Sequence, residues 1–277
     1  MSEIGHTAEL IVLEANREST KLDGGILGPV KLDLNETSTA EVGEKLRVFL
    51  FTDAQGKPVA TTTMPHVQRG QCASLKVVDI TNAGAFMDWG LSKNLLLPFA
   101  EQRRPLEIGR HESVLVYIDN SGRLAATSRL DHHIPETADD FKPWQSVSLL
   151  VFQRTDLGFK AVIDNRALGL LYKDEIFQAI RVGETHQGYI KRVRHDGRID
   201  LTLQPRSTEL NPELSARIMT FLEENNGICE LSDKSTPEAI QATFQVSKKN
   251  FKKALSSLYR DRKILILPDR IESVSQD

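Results

Sequence analysis

One hairpin, written three times, constrains this chain more than any other feature. The first copy runs from Gly43 through Val48, Leu50 and Asp53 to Gly56-Lys57-Pro58-Val59-Ala60-Thr61. The second runs from Gly109 through Val114, Val116, Ile118 and Asp119 to Gly122-Arg123-Leu124-Ala125-Ala126-Thr127. The third starts at Gly183, passes Ile190 and Val193, and ends Gly197-Arg198-Ile199-Asp200-Leu201-Thr202. The leading and turn glycines stand thirteen residues apart in the first two copies and fourteen in the third. Glycine takes a positive φ at no steric cost, so the second Gly fixes where each strand pair reverses. A unit that recurs this way means several small modules, not one large core.

The residues before each hairpin complete its module. In 1–64, Leu10 to Ala15 reads as an opening strand, and Asp23-Gly24-Gly25-Ile26-Leu27-Gly28 as a turn before Val30-Lys31-Leu32. In 67–130, Cys72 to Ile80 and Gly84 to Trp89 are strands, the second with Phe86 and Asp88 on one face and Met87 and Trp89 on the other. Leu95 to Pro98 follows. In 143–205, Val147 to Phe152, Gly158 to Ile163 and Leu168 to Tyr172 repeat the plan, and Asp131 to Lys142 reads as a polar linker. Three modules of about five short strands each fit small closed barrels better than a sandwich.

The last segment, 208–277, changes period. Asn211-Pro212 caps a helix whose Leu214, Ile218, Phe221 and Leu222 form one apolar stripe, ended by Gly227. Ser235-Thr236-Pro237-Glu238 opens a short second helix, and Ser247 caps a third that buries Phe251, Ala254, Leu255 and Leu258. Ile264 to Leu267 and Ile271 to Val274 then make a β-hairpin. The fold class is therefore mainly β with a C-terminal α+β module.

These residues carry a resemblance. Gly84-Ala85-Phe86-Met87-Asp88, Leu95-Leu96-Leu97-Pro98 and the hairpin from Gly183 to Leu203 resemble the S1 RNA-binding domain, an OB-fold barrel. Gly158-Phe159-Lys160 and the stretch Gly169 to Ile176 resemble the bacterial CvfB/YitL-type family. That resemblance implies three tandem five-stranded S1-like OB barrels followed by a winged helix, and a protein that binds RNA. The first barrel is the most divergent. Phe86 matches the stacking aromatic of the family, whereas Ala83 and Pro98 stand where a second aromatic and a His are usual.

Bulk properties exclude several classes. No run of about 18 apolar residues exists, so no membrane helix is expected. The N-terminus shows neither a basic start nor an apolar core, so no signal peptide is expected. Cys72 and Cys229 are 157 positions apart, which is no metal-ligand spacing. Free thiols suit a cytoplasmic protein. Asp131-His132-His133 lacks the carboxylates a phosphoesterase centre needs, and no nucleophile elbow or zinc motif occurs. No catalytic residue, cofactor or metal is expected. The net charge of −3 hides a gradient: residues 1–140 carry 14 Lys/Arg against 20 Asp/Glu, whereas residues 141–205 carry 10 against 7 and residues 206–270 carry 11 against 9.

OB barrels hold single strands by stacking bases on aromatics while cations track the backbone. The third barrel offers Phe159, Tyr172 and Tyr189 with Lys160, Lys191, Arg192, Arg194 and Arg198. The first offers neither and reads as structural or protein-facing. On the third helix of the last module, Lys248/Lys252 and Lys249/Lys253 are like-charged i,i+4 pairs, which cost an isolated helix a few tenths of a kcal/mol and so point to an anionic partner. Only Asn250 and the serines there could read base edges. The expectation is a non-catalytic binder of single-stranded RNA, or of single-stranded DNA, acting in post-transcriptional regulation. The alternatives are a winged-helix DNA-binding transcription regulator, and an adaptor to the ribosome or RNA-processing proteins.

Overall fold

A computed structural model describes residues 3–16, 19–33, 40–53, 55–205 and 212–274. The first barrel is built from β1 (Thr7–Ala15), β2 (Thr20–Asp23), β3 (Pro29–Leu32), β4 (Lys45–Thr52) and β5 (Pro58–Thr61). The second uses β6 (Cys72–Thr81), β7 (Gly84–Asp88), β8 (Leu95–Pro98), β9 (His111–Ile118) and β10 (Leu124–Thr127). The third uses β11 (Ser146–Arg154), β12 (Gly158–Ile163), β13 (Ala167–Tyr172), β14 (Thr185–Val193) and β15 (Ile199–Thr202). The hairpin glycines behave as the spacing requires, with φ of +79°, +80° and +77° at Gly56, Gly122 and Gly197.

In every barrel the long first strand is shared between two neighbours. The front of β11 pairs with β14 and its rear with β12, with a bulge between Val151 and Gln153. The same bulge falls between Val12 and Glu14 in β1 and between Val77 and Asp79 in β6. One extra residue bends the strand so that it can turn the corner of a small barrel. The first and third barrels close through a parallel ladder, β3 with β5 and β13 with β15. The second closes differently: its sheet order is β10-β9-β6-β7-β8, and β8 and β10 meet at the seam without such a ladder.

Alternation sends one face of each strand inward. Leu149, Val151, Ala161, Ile163, Leu171, Ile190, Ile199 and Leu201 fill the third barrel, all buried. Neighbouring barrels also share apolar surface. Phe49 of β4 meets Trp89 edge-on at 5.6 Å, within the cluster that fills the second barrel. Leu115, Leu130, Ile134, Leu150, Phe152, Val162 and Leu168 form a buried cluster between the second and third barrels.

That cluster corrects the reading of 131–142 as a plain linker. Its start is a one-turn helix, α1 (Leu130–His133), and Ile134 and Phe141 are buried. The Leu168 N–H donates to the Pro135 carbonyl (2.8 Å) and the Ala138 N–H to the Gly197 carbonyl (3.2 Å), so the segment is stapled to the third barrel on both sides.

The C-terminal module is α2 (Pro212–Glu224), β16 (Ile228–Cys229), α3 (Pro237–Phe244), α4 (Lys248–Arg260), β17 (Ile264–Ile266) and β18 (Ile271–Ser273). The Thr236 hydroxyl accepts from Ala239 N–H, and the Ser247 hydroxyl from Asn250 N–H, as cap chemistry dictates. The Asn211 cap of α2 lies outside the described residues. Leu214, Ile218, Leu222, Phe251, Leu255 and Leu258 pack together with Ile264 and Ile271 of the wing. No helix among the described residues is long and apolar enough to cross a membrane.

Candidate nucleic-acid interface

The outer face of the third barrel carries an open groove of about 450 Å³ along the β13–β15 seam. Its walls come from β12, β13 and β15, from the turn after β11, from Arg194 just past β14 and from Glu136 on the stapled segment. Four of the residues picked from sequence meet here: Lys160, Tyr172, Arg194 and Arg198.

Two carboxylates organise these cations. Asp200 sits in an otherwise apolar strand, Ile199-Asp200-Leu201, with its side chain turned outward but only 2% exposed. It accepts from Arg192 Nε at 2.6 Å and from Arg194 Nε at 2.8 Å. Arg194 also donates to the Tyr172 hydroxyl, and its guanidinium lies 5.8 Å from the Tyr172 ring centroid. Glu136 accepts from Lys160 Nζ at 2.6 Å and lies 3.7 Å from Arg198. Each carboxylate thus holds two cations; Arg192 stands outside the groove and Asp156 within it, so the lining itself carries three cations and three acids.

The ionisation of these groups follows from the contacts. Burial works to raise the Asp200 carboxyl, but hydrogen bonds and charge from Arg194 and Arg192 outweigh it and hold the group below its ordinary value. The Glu136 carboxyl is held low by the Lys160 hydrogen bond and charge. Arg194 is pushed further up, chiefly by its bond to Asp200. All are charged at neutral pH, so the groove presents fixed cations on fixed anchors.

Among the described residues, the third barrel alone has this set. The turn bond from Arg194 N–H to the Arg198 carbonyl (2.8 Å) is repeated by Asp53 to Lys57 (2.9 Å) and Asp119 to Arg123 (2.8 Å). Arg194 therefore replaces an Asp found at the same place in the other two hairpins. By the same register Asp200 stands where they have Val59 and Ala125. Tyr172 pairs with Gly158 as Pro98 pairs with Gly84 in the second barrel.

The other residues picked from sequence fall elsewhere. Leu171 pairs with Leu201 and Tyr189 with Thr202, so Tyr172 and Tyr189 stand level on either side of β15, about 10 Å apart at two strand spacings. Lys191 pairs with Glu175 and does not line the groove. Phe159 is a correction. It shares the face of Ala161 and Ile163 and packs against the core at the mouth of the barrel, so it is no outward platform. Phe86 is half-buried on the outer face of β7, with Ala85 and Met87 buried on the inner.

On α4, Lys249 and Lys253 are exposed, Lys252 lies 3.4 Å from Asp233, and Lys248 donates to the Lys234 carbonyl. Asn250 is a second correction: its amide donates to Gln204 Oε1 (3.2 Å) and ties α4 to the end of the third barrel. Among the described residues no cluster of His, Cys, Asp and Glu could hold a metal.

Sequence reasoning missed Asp200 and Glu136. A lone acid inside an alternating Ile-Leu strand is a signal for the first. Nothing local marks the second, because its partners lie 24 and 62 positions away.

Comparison with known proteins agrees with this architecture. The S1 domain model matches residues 4–63 and 69–129, and that of the CvfB-like winged helix domain matches residues 216–272. The uncharacterized protein YitL of Bacillus subtilis is 27% identical over 237 residues, covering 82% of this chain and 79% of that protein. Conserved virulence factor B of Staphylococcus aureus is 26% identical over 272 residues, covering 92% and 86%. A solved multidomain protein with nucleic acid binding domains from Streptococcus pneumoniae is 23% identical, covering 98% of this chain and 99% of its own, with a TM-score of 0.44.

Proposed function

We propose that this chain, which belongs to the CvfB/YitL-type family of S1 barrels closed by a winged helix, is a non-catalytic protein that holds single-stranded RNA. The observation that carries this reading is the groove of the third barrel, where the Tyr172 ring lies beside Arg194 and the three cations Lys160, Arg194 and Arg198 are anchored by two acids. A single strand needs an aromatic face for its bases and fixed positive charge for its phosphates. A duplex offers no unstacked base to that face. The exposed lysines of α4 add phosphate contacts in this reading. With Asn250 engaged by Gln204, that helix has little left to read a base edge. Holding single strands without chemistry suits post-transcriptional control of gene expression.

Neutralising Lys160, Arg194 and Arg198 together to Gln tests the assignment. Binding should weaken for all RNA sequences alike, and the salt slope should fall by about 0.7 for each phosphate that is no longer neutralised. Unchanged affinity and slope would place the RNA elsewhere on the molecule.

A further inference from the structure

Each barrel is entered through a residue with left-handed backbone two positions before its first strand. In the first two barrels that residue is glycine, Gly5 with φ +90° and Gly70 with φ +79°. Their N–H groups donate to the carbonyls of Leu50 (2.7 Å) and Val116 (2.8 Å) on the fourth strand. The third barrel makes the same bond, from N–H to the Ile190 carbonyl at 2.6 Å, but the residue is Trp144, with φ +68°. An L side chain in this region is strained, and a bulky one is a genuine outlier. Something must offset that strain.

Trp144 is half-buried, belongs to none of the five apolar clusters of the described residues, and pairs with no aromatic ring among them. Its place on the barrel is informative. Ser146 pairs with Tyr189, and both Trp144 N–H and the Gln145 carbonyl bond to Ile190, the next residue, so Trp144 sits just before β11 and just past Tyr189. It is two residues, about 7 Å, from Ser146, the partner of Tyr189, the scale of one step in an extended single strand. Strain retained at a partly exposed aromatic, a strand step from a second aromatic, is the pattern of a functional position.

We propose that Trp144 is a base-stacking residue, continuing the strand path from Tyr172 and Tyr189 past the edge of the groove. This rests on the single-stranded RNA reading above and adds to it a further stacking position that the first two barrels, with glycine there, cannot supply.

Tryptophan fluorescence tests it in the full chain, because the only other tryptophan, Trp89, is buried. Titration with a short oligouridylate should quench the emission of the wild type, and the quench should vanish in Trp144→Gly. That variant should lose roughly 5- to 150-fold in affinity, the range of one stacked base. Its hydrogen-exchange protection over residues 146–202 should stay level or rise, since glycine relieves the backbone. If Trp144→Gly binds as the wild type does, or loses exchange protection over residues 146–202, Trp144 is a packing residue and the proposal falls alone. If the wild type does not bind the oligonucleotide by an independent anisotropy assay, the RNA reading and this proposal fall together.

Discussion

Replacing Asp200 with Asn gives two results that simple charge counting predicts wrongly. Asn keeps the shape but removes the charge, and its amide nitrogen meets a guanidinium donor where a carboxylate oxygen stood. Hydrogen bonds to charged groups contribute about 1.5–3 kcal/mol each. The Arg192 bond must be discounted towards about 1 kcal/mol or less, because that side chain is 66% exposed. Asn can still accept one of the two bonds. The expected loss is about 1.5–3 kcal/mol, confined to the third barrel. Hydrogen exchange read by mass spectrometry over residues 146–202 is the right assay, since a four-module chain does not unfold in two states. Because the folded carboxyl titrates below its unfolded value, its stabilisation is full above the unfolded value and is lost as pH falls through the folded one. The gap between wild type and variant should be constant near neutrality and close in acid below about pH 4. Binding should also weaken. Removing an acid makes the groove more positive, yet the arginine that loses its acceptor must then be ordered by the RNA, at about 0.5–1.5 kcal/mol. A variant as stable as the wild type, a gap that persists unchanged into acid, or tighter RNA binding would refute the anchoring role.

Tyr172→Ala should cost about 1–3 kcal/mol of RNA affinity and little stability, whereas Phe159→Ala should cost about 2 kcal/mol of stability and leave binding intact; anisotropy and denaturation separate the two. Gly158→Ala should abolish the third barrel, because φ is +151° and a Cβ would lie 1.9 Å from the Leu171 carbonyl oxygen; disappearance of exchange protection in that barrel would show it. Glu136→Gln releases Lys160 and Arg198 from the carboxylate that orders them, so RNA should bind about two- to fivefold more weakly despite the added positive charge. Glu107→Gln, the same charge change in the second barrel, should have a much smaller effect in the same titration.

The fold is legible in the sequence where local chemistry repeats. The hairpins can be read because a turn that needs positive φ demands glycine, and the winged helix because its caps and apolar stripes are local. β2 escapes such reading: four residues beside a Gly-Gly turn are too short for alternation to show. The bulges and the parallel seams are set by closure of the barrel and leave no local mark. In the site, Tyr172 is visible as an aromatic at the end of β13 and Arg194 as a cation just past β14. Their relation is not, since it runs through Asp200. Phe159 misleads because the neighbouring Lys160 draws attention from its alternation with Ala161 and Ile163. Glu136 and Phe141 are hidden by the polar composition of the segment between barrels. That segment reads as a linker until the barrel beneath it is seen.

The central claim is that the chain holds unpaired strands on an anchored groove. The most direct measurement is a titration of the intact protein with one labelled RNA, single-stranded and then annealed to its complement, and with duplex DNA of the same sequence, at several salt concentrations. The account predicts tightest binding to the single strand, a steep fall with salt, and disappearance of the single-strand preference in Tyr172→Ala. Tighter, sequence-selective binding to duplex DNA that survives neutralisation of Lys160, Arg194 and Arg198 would contradict it.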